Sequence, residues 1–166
     1  ARQNQTAQDW AAELNEALAM AVDHLSLYQL TIEPGTVFGA RHAAGKLRGL
    51  PDEDLGADMW GITQVVAEKA GLSAYETSNH ARPGAESRHN LIYWRQGDYV
   101  GIGPGAHGRL NLPAGRIATE SHLAPAAWLD AVERGNGESL RDVQSAEDAG
   151  IERVMMGLRL TEGIPL

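Results

Sequence analysis

Residues 24–32, HLSLYQLTI, carry apolar and β-favouring side chains on both faces of any strand they could form. A strand apolar on both faces needs cover on both sides, the arrangement of parallel sheets flanked by helices. The neighbouring patterns supply those helices. Thr6-Ala7-Gln8-Asp9 has the form of a capping box, and Trp10, Leu14, Leu18 and Ala21 follow it at helical spacing. Glu33-Pro34-Gly35 ends the strand. A second helix is predicted from about Asp54 to Ala70, capped by Asp52 and stopped by Gly71, with Leu55, Met59, Ile62 and Val66 inward. LSAYE, 72–76, predicts a further strand. Helix, strand, helix, strand reads as α/β, with the strand–helix–strand unit a right-handed parallel crossover.

The rhythm then changes. Residues 77–97 predict a long connection containing Pro83, Gly84 and Gly97, and long ordered loops in compact domains are often functional. DYVGIG, 98–103, and RIATES, 116–121, read as short strands. Helices are predicted over about 124–134 and 146–160, the latter capped by Ser145 and Asp148 with Ile151, Met155 and Leu158 inward. A modest boundary falls within 111–122.

Charge and composition remove several function classes. The 166 residues are 43% hydrophobic, enough for a globular core. No apolar run is long enough to span a membrane, and no signal or targeting segment is visible. The chain begins at Ala1 instead of Met, so the natural N-terminus is expected upstream. A net charge of −8 argues against a nucleic-acid module. Locally the balance reverses: between Asn79 and Arg95, Arg82, Arg88 and Arg95 face only Glu86, with His80 and His89 among them. That stretch is either a solvated loop or a pocket for an anionic ligand. With no cysteine, disulfides, thiolate metal sites and cysteine nucleophiles are excluded within this chain.

Residues 103–108 spell G-x-G-x-x-G. A dinucleotide fingerprint requires a helix after the glycines, with its N-terminus on the pyrophosphate. Here RLNLPAGRIATES follows, with Pro113, Gly115 and β-branched residues, and Pro104 removes one N–H from the cradle. The nucleotide reading fails. Gly101, Gly103, Gly105 and Gly108 instead allow backbone to approach another backbone or a ligand closely.

His89 and His107 lack the short-spaced ligand partner that a zinc site needs. A single histidine can be a buried structural residue or an axial haem ligand supported by its neighbours. In His-Asn-Leu-Ile-Tyr, 89–93, His89 would be the ligand, Asn90 a local hydrogen bonder, and Tyr93 a neighbour if the segment is helical. Ser87 with His89 is too generic for a nucleophile pair, and no G-x-S-x-G elbow occurs.

Taken together, HLSLYQLTIEPGTVF, LPDEDL, YETSNHARPGAESRHNLIYW and DYVGIGPGAHGR resemble the oxygen-independent coproporphyrinogen III oxidase-like radical-SAM proteins, from about Gln5 to the end of the chain. The resemblance implies the second half of a partial (β/α)6 radical-SAM barrel over 1–115, followed over 116–166 by the start of a mainly helical C-terminal region. Within the family HNLIY matches the His-Asn-x-x-Tyr pattern of the haem-chaperone branch, which implies His89, Asn90 and Tyr93 as candidate haem-site residues. In the oxidases arginine appears in place of this histidine. By position, Thr31 and His107 correspond to places where oxidase members contact S-adenosylmethionine (SAM). Arg82 and Arg88 are candidate partners of haem propionates, on charge alone. The family's cluster-binding cysteines and glycine-rich SAM motif are absent here, so this chain by itself would neither hold a [4Fe–4S] cluster nor cleave SAM.

What the resemblance implies is a segment of a cytoplasmic haem chaperone, peripheral to the membrane, that passes haem to respiratory haem proteins. The alternatives are a segment of an oxidase converting coproporphyrinogen III to protoporphyrinogen IX, and a structural fragment inactive alone. A half barrel also exposes strand edges through which copies could self-associate.

Overall fold

The computed structural model describes residues 2–165. They form two compact units, one ending at Glu86 and the other starting at Ser87.

In the first unit, helix α1 spans Ala7–Met20, and the Thr6 and Asp9 side chains cap it reciprocally. Helix α3, Glu53–Lys69, is capped by Asp52, whose Oδ1 accepts from Leu55 N at 2.9 Å. The two helices pack through buried Leu14 on α1 and Met59, Thr63 and Ala67 on α3. A polar tie crosses that apolar seam: the Trp10 indole N–H donates to Thr63 Oγ1 at 2.9 Å and to the Met59 carbonyl at 3.1 Å. Thr63 lies between the expected inward positions; its hydroxyl is satisfied by the Met59 carbonyl one turn back, which permits its burial. A short helix, α2 (Val37–Ala43), stands where only a chain stop at Glu33-Pro34-Gly35 is expected.

The strands depart from expectation. β1 is His24–Ser26, β2 is Ser73–Ala74, and β3 is Asn79–Ala81, in sheet order β1-β3-β2 with both pairings antiparallel. β1 and β2 run in the same direction, as expected of a strand–helix–strand unit, but they are not neighbours. The chain reverses after β2, with Tyr75 N bonded to the Asn79 carbonyl at 3.2 Å, and β3 enters between them. Because β3 offers only three residues, the ladder stops soon after Leu27 N meets the Ser78 carbonyl at 2.8 Å. Residues 28–32 therefore carry no strand, and Tyr28 and Leu30 are exposed.

The second unit begins with helix α4, Arg88–Trp94, capped by Ser87. A meander of β4 (His107–Leu112), β5 (Gly115–Ser121) and β6 (Glu138–Val143) forms its sheet, antiparallel throughout. Helices α5 (Pro125–Glu133) and α6 (Ala146–Gly157) complete it. β4 and β6 lie outside the predicted strands, and DYVGIG contributes only one bridge, Tyr99 to Arg109. Residues 115 and 116, where the family resemblance implies the end of the barrel, lie together in β5 within this unit.

Helix α6 is turned relative to its predicted orientation. Ile151, Met155 and Leu158 are exposed, whereas Gly157 is buried and Glu152 and Met156 are half-buried. Two contacts set this face. Glu152 is held by Arg109 of β4 and Arg116 of β5, and Gly157 lies where a Cβ would come within 2.5 Å of Ile164 Cγ1.

Candidate functional site

HNLIY forms the body of α4. The Ser87 hydroxyl accepts from Asn90 N at 3.3 Å, which starts the helix just before His89. Positions four apart on a helix share a face. His89 and Tyr93 accordingly meet edge to face, with ring centroids 4.9 Å apart and planes at 83°. The His89 side chain is exposed and Tyr93 is half-buried, so the imidazole is presented to solvent on a partly embedded aromatic ring. A third ring continues the contact, since Tyr93 and Tyr99 are 4.5 Å apart at 68°. Burial first of all pushes the Tyr99 phenol above its ordinary range.

Tyr99 is anchored from behind. Its N–H and carbonyl exchange bonds of 2.8 and 2.9 Å with the Arg109 backbone. The Arg109 guanidinium lies 3.2 Å from Glu152 Oε2, Arg116 lies 3.4 Å from Oε1, and the Gln144 amide donates to Oε2 at 2.6 Å. Burial alone would raise the Glu152 carboxyl, but the Gln144 amide and the two arginines outweigh it and hold the group low. Sequence reasoning did not single out Tyr99, Arg109 or Glu152. Pairing of the DYVG segment with β4 sets Tyr99 beside Arg109, and α6 brings Glu152 to that arginine.

Two arginines of the basic stretch have partners of their own. Arg95 is forked onto Glu162 at 2.7 and 2.8 Å, and Arg82 Nε donates to the Val22 carbonyl at 3.1 Å. Arg88 is exposed, one residue before His89. Thr31 and Arg82 belong to the first unit, and His89, Asn90, Tyr93, Arg88 and His107 to the second. His107 sits on β4 opposite Glu120, with Nδ1 3.6 Å from Oε1, and both side chains are exposed.

The glycines serve the fold. A Cβ on Gly101 would lie 2.5 Å from the His107 carbonyl oxygen, and one on Gly108 would lie 3.0 Å from Gly101 N. Gly103 and Gly105 take φ of +111° and +66°, the left-handed region that glycine tolerates. Backbone meets backbone here, and the segment that follows is the β4–β5 hairpin and not a helix.

The first unit has its own cleft, of about 670 Å³, lined by Trp10, Tyr28, Leu30, Met59, Trp60 and His80 among others. His80 is only 1% exposed, and neither ring nitrogen has a hydrogen-bond partner. Burial lowers its pKa, against the opposing pull of Glu76. Among the described residues no cluster of three or more histidine, aspartate or glutamate side chains could hold a metal ion. With no cysteine, the chain offers no thiolate to an iron–sulfur cluster.

No family model matches the chain. Heme chaperone HemW of Escherichia coli (strain K12) is 40% identical over 163 residues, covering 98% of this chain and 41% of the relative. Radical S-adenosyl methionine domain-containing protein 1, mitochondrial, of Danio rerio is 41% identical over 161 residues, 93% of this chain and 36% of the relative. Heme chaperone HemW of Bacillus subtilis (strain 168) is 35% identical over 162 residues, covering 96% and 41%. The chain thus spans about two fifths of the length of the curated relatives it matches. Among solved structures, the radical-SAM coproporphyrinogen III oxidase of Escherichia coli superposes on 95% of this chain and 38% of its own, with a TM-score of 0.71 at 18% identity, a likeness of fold. The α/β architecture is therefore that of part of a radical-SAM fold. By sequence, the chain is similar to the HemW-type radical-SAM proteins over about two fifths of their length.

Proposed function

We propose that this chain carries the haem-holding segment of a haem chaperone, with His89 as the iron ligand and Asn90 and Tyr93 beside it. The observation that carries this reading is the exposed His89 imidazole set against Tyr93 one helical turn away, 4.9 Å between centroids. An exposed imidazole reaches iron without opening a core, and a neighbour that fixes ring orientation strengthens such a ligand. One axial bond at a surface leaves the other face of the porphyrin free, which suits a cargo that must be released. Relatives named heme chaperone HemW support the same reading.

Arg88, exposed beside His89, is the propionate partner we favour. Arg82 is a second candidate through its Nη atoms, because its Nε is engaged with Val22. Thr31 and His107 are proposed SAM-contacting positions of the intact radical-SAM protein, and the cluster ligands of that protein lie outside this chain. We place the protein in the cytoplasm at the membrane periphery, with respiratory haem proteins as recipients. No helix among the described residues is long and apolar enough to cross a membrane.

The test is a hemin titration of the chain and its His89→Ala variant, followed at the Soret band. A saturable shift abolished in the variant, and restored by free imidazole, is the expected result. Identical titrations would remove His89 as the ligand and overturn the proposal.

A further inference from the structure

We infer that Tyr99 is a positioning residue for the haem site, the fixed end of an aromatic ladder His89–Tyr93–Tyr99 that sets the orientation of the His89 ring. The inference rests on the reading of His89 as iron ligand. It begins from a mechanical difficulty: α4 has only seven residues, too short to hold an exposed side chain rigidly by its own hydrogen bonds. His89 itself is exposed, so packing against a core does not restrain it. Its ring contact is Tyr93, whose position is decided in turn by what lies behind it.

Behind it is Tyr99. The Tyr93–Tyr99 centroids are closer, at 4.5 Å, than the His89–Tyr93 pair at 4.9 Å, and both contacts are edge-to-face. That geometry is favoured by the ring quadrupoles and is directional, so it transmits orientation as well as position. Tyr99 cannot slide along its strand, because its N–H and carbonyl are both bonded to Arg109. Arg109 is fixed by its 3.2 Å contact with Glu152, which Arg116 and Gln144 also hold. The ladder therefore runs from a surface imidazole to a residue whose backbone is tied to β4, beside a half-buried ion cluster. Hydrogen-bonding support behind a metal ligand is worth about 10–100-fold in affinity at other sites, and a ring contact one residue further back is set at the low end of that range.

The experiment uses the full chain, as wild type and as His89→Ala, Tyr99→Phe, Tyr99→Leu, Tyr99→Met and Tyr93→Leu. Each is titrated with hemin, and the ferric complex is examined by low-temperature electron paramagnetic resonance, whose g-anisotropy reports the orientation of the axial imidazole. Tyr99→Phe keeps the ring and should match wild type in affinity and spectrum. Tyr99→Leu keeps apolar bulk without the ring edge; it should bind about 10-fold more weakly with a broadened, shifted g-anisotropy. Folding is checked by circular dichroism. Should Tyr99→Leu not fold, Tyr99→Met decides, since it too removes the ring edge while keeping bulk and should show the same loss; Tyr93→Leu, at a haem-site residue, serves as the reference for loss of the ring next to His89. Wild-type affinity and spectrum in the deciding Tyr99 variant, with binding still abolished in His89→Ala, would overturn the ladder and leave the haem site standing. Binding unaffected by His89→Ala would overturn both.

Discussion

Substituting Glu152 by glutamine tests whether the ion cluster behind α4 holds the second unit together. The carboxylate has 14% of its side-chain surface exposed, with Arg116 at 7% and Arg109 at 20%, so its partners are largely removed from water. Glutamine keeps the shape and some hydrogen bonding but leaves two arginines without a counter-charge. Breaking a buried pair on one side costs about 3–5 kcal/mol, and the partial exposure of Arg109 places the expectation at the lower end, about 3 kcal/mol. For a chain of this length, 1 kcal/mol corresponds to roughly 2–4 °C in Tm, so the variant should melt roughly 6–12 °C lower. Thermal melts by circular dichroism measure this, with Arg141→Gln as the control. Arg141 pairs with Glu138 at 2.6 Å on an exposed strand, and its loss should move Tm far less. The pH dependence has a definite sign. The folded Glu152 pKa lies below its unfolded value, so the stabilisation is complete above about pH 4.3 and is lost as pH falls through and below it. A glutamine variant melting within about 2 °C of wild type at pH 7 would refute the reasoning, because the cluster would then contribute no net stability.

His80→Leu removes two unpartnered buried ring nitrogens, so it should leave Tm at pH 7 unchanged or raise it. Because the folded His80 pKa is lowered, wild-type stability should decline as pH falls below about 6.5, and the leucine variant should decline less; parallel pH profiles would contradict this. Gly101→Ala brings a Cβ within 2.5 Å of the His107 carbonyl oxygen, which should cost about 1–3 kcal/mol in urea denaturation, with a cost near zero excluding a close-packed role.

The helices are the part of this protein most fully legible in its sequence. Thr6 and Asp9, Asp52, and Ser145 each cap the helix they were expected to cap, because capping is a bond between residues three apart and needs no tertiary partner. HNLIY was legible in the same way: once helical, His89 and Tyr93 must share a face. The failure of G-x-G-x-x-G as a nucleotide motif was also local, written in the Pro113 and Gly115 that follow it.

Long-range contacts settled everything else. Apolar patterning in HLSLYQLTI indicates a strand, but its extent depends on a partner some fifty residues away, and β3 is short. Period alone turns Ile151, Met155 and Leu158 inward; in the fold α6 turns Glu152 toward Arg109 of β4 and Arg116 of β5 and leaves those three side chains exposed within this chain. Tyr99 gives no sign in the sequence of standing behind Tyr93. Helical caps and i, i+4 faces are properties of consecutive residues, whereas strand pairing, helix rotation and the support of an exposed ligand depend on which distant residues arrive, and only the tertiary structure decides that.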